Sequence, residues 1–399
     1  MDAIRDPLLT MSYKLSNRAA SLTPSPTLAI SAKAKQMKAD GIDVIGFGAG
    51  EPDFDTPQHI KDSAIEALNA GMTRYTAAAG TPEFRQAIAD KFKRDNGLDY
   101  QPNQIVASCG GKHSCYNVMM ALCEAGDEVI VPAPYWVSYP EMVKLAEATP
   151  IILDTDHTTG FKVTPDQLKA AITERTRLFI LNSPSNPTGA VYTPNEMKAL
   201  SDICVERGVL IMSDEIYEKL LYDDAQHVSP ATLSEAHYNH TIIVHGLAKA
   251  YSMTGWRLGY LAAPLPIAKA ISAIQSHSTS NPTSFAQSGG IQALEGPQDH
   301  LASWMQEFDK RRLYAWERLN AMPGIRCEKP QGAFYLFPSI ADTGLDSNTF
   351  CDRLLEKHNV AAVAGIGFGS DAYLRLSYAT SMENIEKGLD RMETFVKSL

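Results

Sequence analysis

Apolar and polar positions fall in alternating blocks along this chain. From about residue 60 to residue 271, short and nearly continuous apolar runs are separated by segments of helical length. The runs 104–108, 128–131, 149–153, 178–181, 209–213, 241–245 and 258–262 read as strands. Segments 83–96, 114–125, 139–146, 165–172 and 194–206 between them read as helices. Strands that alternate with helices build βαβ units, whose sheet is mostly parallel and covered on both faces. Continuously apolar strands fit that burial. The pattern predicts an α/β fold with a large, mostly parallel sheet.

After Pro282 the pattern changes. Residues 283–322 carry long polar–apolar repeats of helical spacing and no strand signal. Pro323 and Gly324 then break the chain. Apolar pieces follow at 333–337, 360–363 and 373–377, with helices near 349–357 and 382–396. This is a smaller α/β unit. At the other end, 28–37 is amphipathic and Val44-Ile45 is a short apolar piece. The expected organisation has three parts. An N-terminal segment, 12–50, joins the small unit. A large domain, 51–322, includes the long helical connection. A small C-terminal domain spans 323–399. The polar stretch around His237 and His240 reads as a loop.

Composition narrows function more than fold. The 399 residues are 44% hydrophobic and 21% charged, as in ordinary globular proteins. A chain this long buries enough surface to fold without disulfides or metal. Its net charge of −10 argues against a nucleic-acid or anionic-membrane partner. No apolar run approaches the roughly 20 residues needed to cross a bilayer. The six cysteines are scattered and none forms a CxxC pair, so reduced thiols in a cytoplasmic protein are expected. The histidines are scattered too, and no metal site is expected. The N-terminus carries Asp2 and Asp6 and no long apolar stretch, which does not fit a signal peptide. Met11 offers a second candidate start.

Chemistry gathers at strand ends. The run 241–245 ends at His245, Lys249 follows in a small-residue turn, and Arg257 comes eight residues later. Asn182-Ser-Pro-Ser-Asn-Pro-Thr-Gly189 follows another buried strand as a rigid turn, with Asn186 placed to donate an amide. Asp214 and Tyr217 end a third strand, offering a carboxylate for a heteroaromatic N–H and a phenol for an oxygen. Cys109-Gly110-Gly111-Lys112 joins a fourth strand to a helix, where glycines let backbone N–H groups approach a phosphate. Its spacing fits neither GxGxxG nor GxxxxGK[ST]. In open α/β sheets, ligands bind outside the carboxyl ends of the strands. One molecule suits this whole set. Pyridoxal 5'-phosphate has an aldehyde for the lysine, a pyridine nitrogen for the acid, a phenolic oxygen for the tyrosine and a phosphate for the glycines and arginine.

The sequence resembles the class I aminotransferases, fold type I pyridoxal-phosphate enzymes, and within them the bacterial aspartate aminotransferase branch. The resemblance rests on Ala49-Gly-Glu-Pro-Asp-Phe54, Pro134-Tyr-Trp-Val-Ser-Tyr-Pro140, the 183–189 turn, Ser213-Asp-Glu-Ile-Tyr217, Lys249-Ala-Tyr-Ser-Met-Thr-Gly-Trp-Arg257 and Arg375-Leu-Ser-Tyr378. It runs from about Leu15 to the C-terminus. It implies that Lys249 is the Schiff-base lysine, which also carries the substrate α-proton. Asp214 pairs with the pyridinium nitrogen, and Tyr217 and Asn186 bond the ring oxygen. Arg257 with Gly110, Gly111 and Lys112 holds the phosphate, and Trp136 stacks on the ring. Tyr75 reaches the phosphate of a partner subunit, which implies a homodimer with shared sites. Arg375 clamps the substrate α-carboxylate through a two-point fork, a task for guanidinium, and Gly50 brings its backbone near the same substrate.

The resemblance further implies small-molecule substrates, amino acids and 2-oxo acids. Relatives in another branch bind the side-chain carboxylate with an arginine in a region matching about 276–282. Here that region is Ser-His-Ser-Thr-Ser-Asn-Pro, with no arginine between Arg257 and Arg311. In this branch Lys112 takes that task, which favours aspartate with 2-oxoglutarate. Prephenate-using relatives carry a basic residue where this chain has Thr23. His113 replaces an expected glutamine, and His277 reads as a surface or interface histidine, with a place near the substrate side chain as the other reading. The alternatives are an aromatic or broad-specificity aminotransferase, including a prephenate-using one, a decarboxylase or β-lyase on the same fold, and a non-enzymatic pyridoxal-binding regulator. Arg375 speaks against the lyases. The acidic charge speaks against the regulator.

Overall fold

The computed structural model describes residues 14–399, so Met1 and Met11 lie outside the described residues. Helix Pro26–Ala39 leads into β1 (Ile45–Gly46). All seven strands read from the central block form, and they join one sheet. They are β2 (Ile105–Ser108), β3 (Glu128–Ala133), β4 (Thr149–Asp154), β5 (Thr176–Asn182), β6 (Leu210–Asp214), β7 (Thr241–Gly246) and β8 (Gly259–Ala262). Their order is β2-β8-β7-β6-β5-β3-β4. All are parallel except β8, which runs antiparallel to both β2 and β7.

Alternation along each strand sends successive side chains to opposite faces. Ile105, Ala107 and Ile243 pack with Phe84, Ile88 and Phe92 of helix Pro82–Asn96. Val106, Ile242 and Val244 pack instead with Cys115, Val118 and Met119 of helix Gly111–Leu122, and with Ile271 of helix Leu265–Ser276. Both faces are covered, which is why these strands carry almost no polar residues until they end. Thr81, Thr164 and Thr193 mark helix starts, each followed by proline. Thr164 and Thr193 complete capping boxes with Gln167 and Glu196.

Four short strands follow late in the chain: β9 (Tyr335–Leu336), β10 (Val360–Ala361), β11 (Val363–Ala364) and β12 (Leu374–Ser377). β10 pairs in parallel with β1, Ile45 opposite Val360, while β11, β12 and β9 form a small antiparallel sheet. Ile45 and Phe47 share a core with Phe350, Leu354, Leu389 and Phe395. Phe308, Ala315 and Leu319 of the 22-residue helix Asp299–Asn320 enter the same core.

The structure corrects the reading at His237 and His240. Glu235–His240 is a short helix, with the Ser234 side chain accepting the His237 amide at its start. Six residues are too few for periodicity to declare itself. A helix at Gln58–Asn69 has no counterpart in the pattern read above, because it buries only Ile60 and Ala64. The apolar piece 360–363 divides between two strands with different partners.

Candidate active site

Strand register fixes where the polar groups meet. Asn182, Asp214 and Val244 lie level across β5, β6 and β7. Gly246, Gly259 and Ser108 lie level across β7, β8 and β2. One edge of the sheet thus collects the ends of β2, β5, β6 and β7, and antiparallel β8 begins there. The connection 247–258 therefore stays at that edge and carries Lys249 and Arg257.

The Lys249 amine donates to the Gly50 carbonyl and lies 5.8 Å from the centres of the Tyr217 and Phe334 rings. Burial, then the charge of Arg375, pushes its pKa down to about 8, against the pull of Glu51 and Asp214. A consequence is measurable in the cofactor-free protein. Labelling of Lys249 by an amine-acylating reagent, followed by peptide mass spectrometry, is expected to rise with pH up to about 8 and then level off. An ordinary lysine keeps gaining to about pH 10.4. A Lys249 profile still climbing at pH 10 would contradict the placement.

Asp214 is buried at the end of β6. Burial raises its carboxyl above the ordinary range, although the Tyr139 hydroxyl donates to it at 2.7 Å and opposes the shift. Tyr217, also buried, shares a 2.8 Å hydrogen bond with Tyr335. Asn182 donates to the Asp214 carbonyl at 3.0 Å and accepts the Asn186 amide at 2.9 Å, tying the 182–189 turn to β6. Trp136, Tyr139, Asn182 and Asn186 line one cleft.

Arg375 projects from β12 and is 2% exposed. It donates to the Asn186 side-chain oxygen at 3.1 Å and to the Gly48 carbonyl at 2.8 Å. Its guanidinium lies 4.5 Å from the Tyr335 ring centre, and burial lowers its pKa. Its Nε is buried and has no hydrogen-bond partner among the described residues. No carboxylate is paired with Arg375 among the described ion pairs, an unusual state for a buried guanidinium.

The fourth strand end forms a turn over Arg257. Gly110 has φ +92°, and a methyl group there would lie 2.6 Å from Arg257 Nη2. The positive φ favours glycine, and a side chain here would push the Arg257 guanidinium aside. Arg257, itself at φ 55°, donates to the carbonyls of Thr254 and Cys109 at 3.0 and 3.3 Å. Helix Gly111–Leu122 begins here, with its first N–H groups free of intrahelical partners. The Lys112 ammonium sits 5.0 Å from the Trp136 ring centre. Burial and the Arg257 charge lower its pKa. His113 accepts the Cys109 amide at 3.3 Å through Nδ1.

The fold thus gathers Lys249, Asp214, Tyr217, Asn186 and Arg375 through shared contacts, with Gly50 on the Lys249 amine and the Gly110-Gly111-Lys112 turn beside Arg257. Tyr75 stands apart: its side chain is 87% exposed and bonds none of these residues. Sequence reasoning did not single out Tyr139, Cys115, Tyr335 or Asn182. Tyr139 and Asn182 fall within motifs already quoted. Tyr335 carries no local signal.

Glu215, Glu218 and His227 also cluster closely enough to hold a metal ion. The Lys91 ammonium lies 2.5 Å from Glu218 and already supplies the balancing charge. All six cysteines are unpaired. Among the described residues, no helix is long and apolar enough to cross a membrane.

An amine, an acid and arginines thus meet where the strands of this sheet end. Residues 42–392 match the family described as aminotransferase class I and II, and the chain belongs to that family: it is an aminotransferase. It is 51% identical to the aspartate aminotransferase of Geobacillus stearothermophilus over 390 residues, covering 96% of this chain and 99% of that one. It is 47% identical to the aspartate/prephenate aminotransferase of Cereibacter sphaeroides over 396 residues, 96% of this chain and 99% of the relative. The solved aspartate aminotransferase from Thermus thermophilus with maleate superposes with a TM-score of 0.92 at 41% identity, covering 97% of this chain and all of that one.

Proposed function

We propose that this aminotransferase uses pyridoxal 5'-phosphate to move the amino group of L-aspartate to 2-oxoglutarate, giving oxaloacetate and L-glutamate. The observation that carries the reading is Arg375, buried and without a carboxylate, in the same site as a lysine amine brought down to about 8. A site built this way offers an unpaired guanidinium to an anionic substrate and keeps an amine ready to react.

The residues fit the cofactor. The left-handed Gly110 turn lies against the Arg257 guanidinium, and the helix start adds N–H groups, together a phosphate cradle. The orphaned Arg375 Nε awaits an acceptor from the substrate carboxylate. When bound, pyridoxal phosphate supplies an aldehyde for an amine and a ring that accepts electron density from the substrate α-carbon.

The chain's own residues do the rest. Lys249 is the amine that would hold the aldehyde, and as a free amine it is the base that takes the substrate α-proton and returns it. With a pKa near 8, about a tenth of it is neutral at pH 7. Asp214 holds the proton on the ring nitrogen. Tyr217 and Asn186 bond the ring oxygen, and Trp136 packs on the ring face. The backbone of the Gly110-Gly111-Lys112 turn and the Arg257 side chain hold the phosphate. Arg375 grips the α-carboxylate, with the Gly50 backbone beside it. Lys112, at the Trp136 ring, reads the side-chain carboxylate of aspartate or glutamate.

Tyr75 completes the phosphate site of a second copy, so the proposed assembly is a homodimer with shared sites. Its exposure supports this, as do Ile65 and Leu68 of helix Gln58–Asn69, exposed at 54% and 45%. Six unpaired cysteines suit a cytoplasmic setting. Prephenate use is the weaker reading, because Thr23 offers no cation and its amide donates to Glu141.

Lys112→Ala is expected to lower kcat/KM for aspartate about tenfold while changing alanine and phenylalanine little, as for one lost charge-assisted contact. Steady-state kinetics with the three amino acids checks this. Equal losses for all three would remove Lys112 as the reader of the distal carboxylate.

A further inference from the structure

The two oxygens of Asp214 are not equivalent. Oδ2 accepts the Tyr139 hydroxyl at 2.7 Å and the Cys115 thiol at 3.8 Å. Oδ1 accepts the Ile216 amide at a longer 3.3 Å. All three side chains are buried, Asp214 at 6%, Tyr139 at 2% and Cys115 at 0% exposed. A carboxylate there loses its hydration and requires donors to stay ionised. Burial, reinforced by the Asp214 charge, pushes both the Tyr139 hydroxyl and the Cys115 thiol well above their ordinary pKa values, so both remain protonated donors.

The origin of the two donors matters. Tyr139 lies in helix Ser138–Leu145, just beyond Trp136, against which its ring packs edge-on at 5.2 Å. Cys115 lies in helix Gly111–Leu122, whose start forms the turn beside Arg257. The segments that would hold the ring face and the phosphate therefore each send a donor to the same oxygen.

We propose that Tyr139, with Cys115 as a weaker second donor, is a positioning residue that occupies Oδ2 of Asp214 and leaves Oδ1 as the acceptor for the ring N–H of the cofactor. This rests on the pyridoxal-phosphate reading above. Tyr139 thus acts through Asp214. Without its hydroxyl, Asp214 more readily takes up a proton of its own and stops accepting one from the ring.

The test compares two ligands of the cofactor-free protein by equilibrium dialysis. One is pyridoxal phosphate. The other is its 1-deaza analogue, in which carbon replaces the ring nitrogen. The wild type is expected to favour pyridoxal phosphate, and Asp214→Asn to lose most of that preference. Tyr139→Phe keeps the ring and its packing, and is expected to shrink the preference about tenfold while leaving analogue binding nearly unchanged. Cys115→Ala is expected to shrink it about twofold to threefold, since a thiol is a weak donor.

If Tyr139→Phe weakens both ligands equally, Tyr139 only packs, and the proposal is overturned while the cofactor reading stands. If the wild type shows no preference, the pairing of Asp214 with the ring nitrogen fails, and this inference falls with it. Should Tyr139→Phe not fold, Cys115→Ala carries the test alone, and an unchanged preference there overturns the proposal.

Discussion

Replacing Lys249 with alanine is expected to lower the rate of amino-group transfer by about 10⁴-fold or more, because one side chain serves two steps. In the proposed reading it holds the cofactor aldehyde and moves the α-proton, and loss of general-base catalysis alone removes roughly 10² to 10⁴. Neighbouring side chains cannot substitute. Tyr217 is buried and its hydroxyl is pushed well above its ordinary pKa, first by burial and then by Tyr335. Asp214 is engaged by Tyr139. Single-turnover absorbance measurements on the variant loaded with pyridoxal phosphate check the rate. The fold should survive, since the change removes a cation from beside Arg375. A Lys249→Ala protein that transfers amino groups at the wild-type rate would remove Lys249 from the chemistry.

Lys91→Met is expected to destabilise the fold by about 3–5 kcal/mol, the range for breaking a buried ion pair by removing one partner. Lys91 and Glu218 meet at 2.5 Å with side-chain exposures of 1% and 4%. His245 lies 3.3 Å from the same Glu218 oxygen, and Asn96 donates to the other at 3.0 Å. Next to them, Glu215 takes the Ser213 hydroxyl at 2.8 Å and pairs with His227 at 3.0 Å. Glu215 and Glu218 bracket Ile216 and Tyr217, so this buried network holds from behind the turn that presents Asp214 and Tyr217. Urea unfolding checks the loss. A change below 1 kcal/mol would show that Glu218 finds full compensation elsewhere.

The same pair gives stability a pH dependence of known sign. Burial alone would raise Glu218, but Lys91 and then His245 win and hold it well below its ordinary 4.5. A group depressed on folding contributes stability that is present above its unfolded pKa and lost as pH falls toward its folded one. Its contribution is therefore complete above about pH 4.5 and fades below that. In Lys91→Met this acid-side loss should flatten.

What could be read from the sequence followed burial. The central strands showed because helices cover both faces, so Ile242, Ile243 and Val244 are all apolar although they point to opposite sides. Each strand turns polar where it reaches the cleft, and that contrast exposed Asp214, Asn186 and Lys249 as candidates. Tyr75, Gly50, Trp136 and Arg375 came from resemblance, since none stands out locally. Contacts between distant residues left no pattern at all. The Tyr217–Tyr335 bond joins residues 118 apart, and a tyrosine in an apolar run reads simply as core. Lys91 reads as one cation among several on a polar helix, until packing brings it to Glu218. The antiparallel course of β8 was likewise invisible, because direction depends on pairing. It nevertheless keeps Lys249 and Arg257 at one edge of the sheet.

The most direct measurement mixes the protein, loaded with pyridoxal phosphate, separately with L-aspartate, L-glutamate, L-tyrosine, L-phenylalanine and L-alanine. Loss of the visible absorbance band is followed in each case. Fast loss with aspartate and glutamate, and slow loss with the other three, is the expected result and supports Lys112 as the reader of the second carboxylate. Fast loss with tyrosine and phenylalanine would contradict the dicarboxylate assignment and make this an aromatic or broad-specificity aminotransferase.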